Sequence, residues 1–261
     1  MKKKLNGKTI VLTRSKDQCS ELGTKLVNLG AAILELPLIK ILPYIDKETI
    51  DDVFAELGSY EWIIFTSRNG VQHFFNIFFS RFKDIRCIGG LRIACVGQGT
   101  VSEVEKFHLE VDFMPKEALS ENLAEELIES QSMENAKVLV ITGNLNRETL
   151  VETLEHKGNA IVDTLQVYET KTENLSNNPS AKIFREKGAD AIVFSSSSAV
   201  KSFIEQVQSL KLEPNAKSPL ICSIGPITSQ TIKEAGLKVS IEAKNHTLDG
   251  IVESILEKLG S

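Results

Sequence analysis

The stretch EWIIFTSRNGVQHFF, residues 61–75, combines the signals that decide the fold. Its apolar run Trp62–Phe65 is short and unbroken, which is typical of a strand buried on both faces of a parallel sheet. The run ends at Thr66 and Ser67, and a helical pattern begins directly after these two hydroxyls. The stretch DAIVFSSSSAVKSFI, residues 190–204, has the same order of apolar run, hydroxyl cluster and amphipathic helix. The pair predicts a strand-to-helix unit that occurs twice.

The rest of the chain repeats in the same order at an offset of 128 or 129 residues. Thr13 in GKTIVLTR aligns with Thr142 in NAKVLVITG at offset 129. Gly97 in IACVGQGT aligns with Gly225 in ICSIGPIT at offset 128. Segments that keep one order at nearly one offset indicate a tandem duplication.

Each repeat consists of short apolar strands that alternate with helices, which predicts an α/β fold with parallel sheets flanked by helices. Two polar segments with Pro or Asn interrupt this pattern at equivalent places and resemble linkers. We therefore predict two similar domains joined by two extended connectors, with a cleft between them. The predicted ranges are 1–37 plus 170–261 for the discontinuous first domain, 38–167 for the second, and linkers near 36–45 and 165–175. The alternative is a simple tandem arrangement with its boundary near residue 130.

Composition and charge exclude several classes of protein. The 30 Lys and Arg against 35 Asp and Glu give a net charge of −5, which argues against a general nucleic-acid binder. The N-terminal MKKKLNGKTIVLTR lacks the apolar run of about 7–15 residues that a secretion signal needs. No window approaches the roughly 20 apolar residues of a membrane span. We therefore predict a cytoplasmic protein that binds neither nucleic acid nor membranes, and an anionic ligand would need a local site.

The cysteines and histidines form no recognisable metal or disulfide pattern. Neither a CxxC pair nor an HxxxH pair occurs, so we predict reduced thiols and no metal centre. The residues concerned are Cys19, Cys87, Cys95, Cys222, His73, His108, His156 and His246. VGQGT and IGPIT are incomplete as phosphate loops, and no GxSxG elbow is present. The sequence thus predicts no cofactor.

Hydroxyls and glycines follow several of the predicted strands. Ligands of open α/β folds bind outside the carboxyl ends of the strands, where helix N-termini offer free N–H groups to carboxylates or phosphates. The candidate contacts are Thr13, Thr66, Ser67, Gly97, Thr142, Gly143, Ser195, Ser196, Ser197, Ser198 and Gly225. For each single hydroxyl, the alternative is an ordinary helix cap. Taken together, they predict a polyanion site lined by both repeats.

The motifs VLTRSKDQ, FTSRNGV, GQGT, LQVYET, FSSSSAV and GPITSQTIKEAGL resemble, in this order, those of the uroporphyrinogen-III synthase family. The resemblance covers nearly the whole chain. It implies a lyase of tetrapyrrole and haem biosynthesis that closes hydroxymethylbilane, with loss of water and inversion of the last pyrrole ring. It also implies two α/β domains joined by a two-stranded β-ladder, an active site between them, and no metal or cofactor. A transient handover of substrate from the preceding enzyme would be the main partner contact.

The resemblance assigns roles to particular residues. Tyr168 in LQVYET occupies the position of the family's candidate general acid, and a phenol is protonated at neutral pH and can donate. Thr228 in GPIT matches a family position at the cleft, and Thr66 and Thr100 are its counterparts on the other domain. The alternatives are a packed linker residue for Tyr168 and a plain cap for Thr228.

One departure from the family concerns arginine. The family often has Arg-Gly where this chain has Thr142-Gly143. Arg14 or Arg147 would have to replace the missing contact to a carboxylate. Arg14 and Arg68 also fit as surface or ion-pair residues.

Two further hypotheses belong to other classes of function. One is a non-catalytic two-domain protein that closes on an anionic small molecule, and the other is a regulatory module derived from the synthase fold. Tyr168 favours catalysis because a pure binder needs no acid at that position. A cleft without a cofactor favours a monomer.

Overall fold

The computed structural model describes residues 4–13, 16–145 and 148–260, without the side chains of residues 16–20. Arg14 and Arg147 therefore lie outside the described residues. The described strands are β1 (Thr9–Leu12), β2 (Ala32–Glu35), β3 (Ile39–Pro43), β4 (Trp62–Phe65), β5 (Arg92–Cys95), β6 (Lys137–Gly143), β7 (Ile161–Thr172), β8 (Ala191–Phe194), β9 (Leu220–Ser223) and β10 (Ile241–Glu242).

The described helices alternate with these strands along most of the chain. They are α1 (Lys16–Asn28), α2 (Lys47–Ala55), α3 (Arg68–Arg81), α4 (Gln98–Glu105), α5 (Ser120–Ser130), α6 (Thr149–His156), α7 (Pro179–Lys187), α8 (Ser197–Glu205), α9 (Pro226–Glu234) and α10 (Leu248–Leu259). Short 3₁₀ turns occur at Leu57–Ser59 and Ile85–Ile88. None of the helices in the described residues is long and apolar enough to cross a membrane.

The chain divides into two compact units. Unit 1 comprises Met1–Lys40 and Lys171–Ser261, and unit 2 comprises Ile41–Thr170. The predicted second domain, 38–167, begins and ends three residues earlier than unit 2. Residue 130, the boundary of the tandem alternative, is the end of α5 inside unit 2. The domain ranges themselves stay a prediction.

The sheet of unit 1 has the strand order β10-β9-β8-β1-β2, and all of its pairs are parallel. Its central strand β8 is buried along its whole length. Val193 belongs to the core on one face of this sheet, and Ile192 and Phe194 belong to the core on the other. Helices therefore cover both faces, as the unbroken apolar runs predict. Ile10 of β1 pairs with Ala191 of β8. The sheet of unit 1 is therefore built from strands of both of its sequence segments.

The sheet of unit 2 has the strand order β3-β7-β6-β4-β5, with β7, β6, β4 and β5 parallel. The alternation along β4 is the same as in β8, since Ile63 and Phe65 face one core while Trp62 and Ile64 face the other. The first of these cores is rich in phenylalanine from α2 and α3. The prediction of an α/β fold with parallel sheets flanked by helices is confirmed.

The strands β3 and β7 both run across the boundary between the units and are neighbours in the sheet order. The Glu173 N–H donates to the Leu38 carbonyl at 2.9 Å, and the Tyr44 N–H donates to the Val167 carbonyl at 3.0 Å. The two connecting segments are therefore hydrogen-bonded to each other, as the implied two-stranded ladder requires.

Candidate ligand-binding and active site

The residues at the carboxyl ends of β4, β5 and β6, together with Tyr168 of β7, form what we call the unit 2 rim. Ser67 is the N-cap of α3 in extended conformation (φ −158°, ψ 157°). Its Oγ accepts a hydrogen bond of 3.0 Å from the Gly70 N–H. The Thr66 hydroxyl donates to the Ile141 carbonyl at 3.2 Å and so ties the turn to β6. Ser67 is therefore the cap of α3.

The Ser67 hydroxyl also meets the phenol of Tyr168, at an Oγ–Oη distance of 3.1 Å. Burial raises the pKa of Tyr168 above its ordinary value of 10, and the hydrogen bond to Ser67 partly offsets this rise. The imidazole of His73 on α3 stacks on the phenol ring, with the ring centroids 5.8 Å apart. Burial lowers the pKa of His73, so a neutral ring lies against the phenol at pH 7. Tyr168 is thus a protonated donor in a half-buried setting.

A β-bulge gives Tyr168 this position. The register of β6 and β7 pairs Thr142 with Gln166 but Gly143 with Tyr168, so Val167 is an extra residue. Val167 lies in the phenylalanine-rich core, and Tyr168 packs against the same core. Two consecutive strand residues reach one face only where the ordinary alternation is interrupted.

Gly143 lies directly beneath the phenol. A Cβ at this position would lie 2.5 Å from Cε2 of Tyr168, which is a hard overlap. The next residue fixes the strand further, because the Asn144 side-chain amide exchanges two hydrogen bonds with the Thr170 backbone. The Thr142 side chain is largely buried. The glycine therefore provides the space that the ring occupies.

The second helix start on the unit 2 rim follows β5. Gly97 is the N-cap of α4 without a side-chain cap, and a Cβ there would lie 3.0 Å from the Cβ of Ala118. Thr100 is only 6% exposed, and its hydroxyl has no hydrogen-bond partner among the described residues. The free N–H groups at this helix start and the hydroxyl suit an anion.

Arg68, the first residue of α3, links the two helix starts. A Cβ on Gly99 would lie 2.6 Å from Nε of Arg68, so the guanidinium covers the start of α4. Arg68 makes no ion pair with any residue in the described part of the chain. A cation at two helix N-termini is unfavourable unless an anion is present. The sequence left the role of Arg68 open, and its place directly after a capping serine was the available signal.

The corresponding residues after β1, β8 and β9 form the unit 1 rim. Thr13 is fully buried, and its hydroxyl donates to the Val193 carbonyl at 2.7 Å. That hydroxyl is used inside the sheet, which favours the structural alternative at this position. Arg14, which follows it, lies outside the described residues.

The serine cluster of the unit 1 rim is hydrogen-bonded within itself. Ser196 caps α8 by accepting from the Ala199 N–H at 3.3 Å, and its hydroxyl meets that of Ser198 at 3.1 Å. Ser197 accepts from the Thr231 hydroxyl at 2.9 Å, which ties α8 to α9. Ser195 is half-buried, and its hydroxyl has no partner among the residues described.

The start of α9 is the last part of the unit 1 rim. Gly225 is its N-cap in extended conformation, and Thr228 is 5% exposed with no hydroxyl partner in the described ranges. A Cβ on Gly225 would lie 3.2 Å from Cγ of His246, so an exposed imidazole lies against this helix start. His246 aligns with Ala118 at offset 128, and comparing the repeats position by position would have singled it out.

The structure thus brings Thr66, Ser67, Gly143 and Tyr168 together in unit 2, and Arg68 connects them to Gly97 and Thr100 through Gly99. In unit 1 it joins Ser196, Ser197 and Ser198 to the start of α9. The described residues contain no group of three or more His, Cys, Asp or Glu side chains that could hold a metal ion. The observed donors are amides, hydroxyls, one guanidinium and one phenol.

These features define a class: an α/β protein of two similar units, with free helix N-termini at the edge of each sheet and a half-buried phenol on one of them. The sequence model described as uroporphyrinogen-III synthase HemD matches residues 20–253. The chain belongs to the uroporphyrinogen-III synthase family, and the resemblance seen in the sequence is confirmed.

Curated relatives agree over almost the whole chain. The uroporphyrinogen-III synthase of Synechococcus elongatus is 31% identical over 96% of this chain and 95% of its own length. The porphyrin biosynthesis protein HemD of Ruminiclostridium josui is 30% identical over 98% of this chain. This chain spans about half (50%) of the length of that second relative.

Solved structures share the fold. A mutant uroporphyrinogen III synthase from the extremely thermophilic bacterium Thermus thermophilus is 14% identical, with a TM-score of 0.66 over 97% of this chain and 99% of its own. The enzyme from Helicobacter pylori is 17% identical, with a TM-score of 0.63 over 96% and 99%. At such low identity, these likenesses support the two-domain α/β fold alone.

Proposed function

We propose that this chain is a uroporphyrinogen-III synthase, a lyase that converts hydroxymethylbilane into uroporphyrinogen III with loss of water and inversion of the last pyrrole ring. Membership of the family supports the reaction. The observation that carries the proposal is the Tyr168 phenol, held at 3.1 Å from the Ser67 hydroxyl on a rim of anion-binding groups.

The rims supply the binding. The substrate carries many carboxylates, and the helix starts after Ser67, Gly97, Ser196 and Gly225 offer backbone N–H groups with partial positive charge. Arg68 adds a full positive charge that no described acid neutralises. Because the whole chain has a net charge of −5, these local groups must provide the attraction.

Tyr168 supplies the acid. Loss of the terminal hydroxyl as water gives an electrophilic azafulvene, and this step needs a proton donor. A half-buried phenol whose pKa is raised stays protonated at neutral pH. Attack by the substituted position of the last ring then gives a spiro intermediate, which reopens and recloses with that ring inverted.

The remaining task is to hold the substrate in one conformation. The substrate also cyclises unaided, without ring inversion, so the enzyme must favour one closure over another. Fixing the chain in a reactive geometry can supply a large part of the rate acceleration. Many weak contacts to carboxylates suit this task better than a strong nucleophile would.

The proposal extends to the conditions under which the chain acts. We expect the chain to act as a monomer in the cytoplasm, without cofactor, and to receive hydroxymethylbilane from the enzyme that forms it. Analytical ultracentrifugation at micromolar concentration tests the expected monomeric state. A stable dimer peak would contradict it.

The test is a coupled assay in which hydroxymethylbilane is generated in the presence of the purified chain. Products are oxidised to porphyrins and separated by chromatography. We expect the type III isomer to replace the uninverted type I isomer, with heat-inactivated chain as the control. If only type I forms while the chain binds the substrate, the non-catalytic binding alternative is correct instead.

A further inference from the structure

We propose that Ser67 and Gly143 are positioning residues for Tyr168: Ser67 donates its hydroxyl hydrogen to the phenol oxygen, and Gly143 provides the space that fixes the ring. The phenol proton is then left free for the substrate. This inference rests on the proposed function and assigns these two residues a role beyond contact with ligand.

The partners of Ser67 leave its hydroxyl hydrogen available to the phenol oxygen. Its Oγ already accepts from the Gly70 N–H at 3.0 Å, so one lone pair points into the helix start. A hydroxyl has one hydrogen to donate, and among the described residues the Tyr168 oxygen, at 3.1 Å, is the acceptor within reach. If Tyr168 donated to Ser67 instead, its proton would be held inside the protein and could not reach the leaving group.

Gly143 fixes where the phenol oxygen lies. The bulge pairs Gly143 with Tyr168, and a Cβ at position 143 would overlap ring atoms at 2.5 Å. The imidazole of His73 also stacks on the ring. The ring is therefore in contact with the Gly143 backbone and with an aromatic plane. This packing limits its rotation and keeps Oη near Ser67.

The proton transfer balances with these roles. Tyr168 gives its proton to the terminal hydroxyl oxygen, and the C–O bond breaks with its electron pair leaving as water. The pyrrole nitrogen lone pair stabilises the resulting cation. The proton on that nitrogen then passes to the phenolate, which gives the neutral azafulvene and restores Tyr168. Ser67 keeps its own proton throughout and stabilises the phenolate in between.

The direct test measures the titration of Tyr168. The chain has three tyrosines, so 3-fluorotyrosine gives a simple ¹⁹F spectrum, in which Tyr168→Phe identifies the resonance. Fluorine also lowers the phenol pKa, so the titration is followed at less alkaline pH. We expect Ser67→Ala to move the midpoint to higher pH, because a donor to the phenolate is lost, and Ser67→Thr to restore it. An unchanged midpoint in Ser67→Ala would overturn the inference.

Turnover provides the second readout. We expect kcat of Ser67→Ala to fall about tenfold, the scale of one hydrogen bond to a charged group, with KM nearly unchanged. Loss of the cap alone is controlled by Thr247→Ala, since Thr247 caps α10 through an identical 3.0 Å bond from Gly250. Ser67→Gly removes the hydroxyl at little cost to the helix and serves if Ser67→Ala does not fold.

The outcomes separate the two proposals. If wild-type chain forms the type III isomer while Ser67→Gly retains full kcat, the positioning role is wrong and the proposed function stands. If wild-type chain forms only type I, the proposed function fails, and the ¹⁹F titration still reports whether Ser67 donates to Tyr168.

Discussion

The two rims begin from the same backbone and differ in what their capping serines meet. Ser67 and Ser196 cap α3 and α8 with nearly equal dihedral angles (φ −158°, ψ 157° and φ −159°, ψ 153°). The Ser67 hydroxyl then reaches a phenol, whereas the Ser196 hydroxyl reaches another serine, Ser198. The two capping turns thus share one backbone geometry. Among the described residues, only the unit 2 turn contacts a phenol.

At a second pair of aligned positions, unit 1 rather than unit 2 has the additional polar ring. Gly97 of unit 2 lies against Ala118, whereas Gly225 of unit 1 lies against the His246 imidazole. The unit 1 rim therefore has a polar ring at a helix start where the unit 2 rim has a methyl group. Under the proposed function, the proton transfer belongs to the unit 2 rim, and the unit 1 rim is expected to contribute contacts to carboxylates only.

The largest effect that this comparison predicts is at Tyr168. We expect Tyr168→Phe to lower kcat about a hundredfold, the lower range for loss of a general acid, while substrate binding persists. Chromatographic assay of the type III isomer measures turnover, and quenching of intrinsic fluorescence measures binding. Tyr44→Phe, at a half-exposed tyrosine of the same unit, is the control. Equal turnover in both variants would rule out Tyr168 as the general acid.

Gly143→Ala should have the next largest effect. The added Cβ overlaps the phenol, so the ring must move, and misplacement of a reacting group by about 1 Å can lower the rate up to about a hundredfold. We expect kcat to fall about thirtyfold. Gly58→Ala is the matched control in the same unit, since a Cβ there meets nothing within 4 Å. If the two variants have equal kcat, Gly143 does not position the ring.

A smaller effect is expected at the guanidinium over α4. Gly99→Ala pushes the Arg68 side chain away from the helix start, and Arg68→Gln removes its charge. We expect either change to raise KM about fivefold and to weaken the dependence of KM on salt, since screening acts on charge pairs. Arg86→Gln removes an exposed, ion-paired charge elsewhere in unit 2 and controls for net charge. A change in kcat alone would contradict a binding role.

The smallest effect is expected at the unit 1 counterpart of Ser67. Ser196→Ala removes a helix cap and a proposed contact to a carboxylate, but its hydroxyl has no phenol as a partner. We therefore expect KM to rise about threefold with kcat unchanged, as for loss of one neutral hydrogen bond. Steady-state kinetics beside Ser67→Ala make the comparison. If both variants lower kcat equally, the two rims share the proton chemistry and the expectation for the unit 1 rim is wrong.

The sequence predicted the strands, the repeat and the edge at which the hydroxyls lie, because unbroken apolar runs and capping serines are local signals. It did not predict the contact between Ser67 and Tyr168. That contact depends on the bulge at Gly143, where one extra residue redirects a side chain, and no local pattern in VITG or LQVYET encodes a register shift. Thr13 shows the opposite difficulty. Its hydroxyl bonds to Val193, a residue 180 positions away, so nothing beside it in the sequence indicates burial.

The pairing of β1 with β8 has a consequence for synthesis. Unit 2 is one continuous segment, so it can complete its sheet while the last part of the chain is still on the ribosome. The β1–α1–β2 segment cannot complete its sheet this early, because the strand that pairs with β1, β8, begins only at Ala191. We expect the earliest-made strands to wait as an exposed edge until late in translation. During that interval their unpaired edges are open to aggregation.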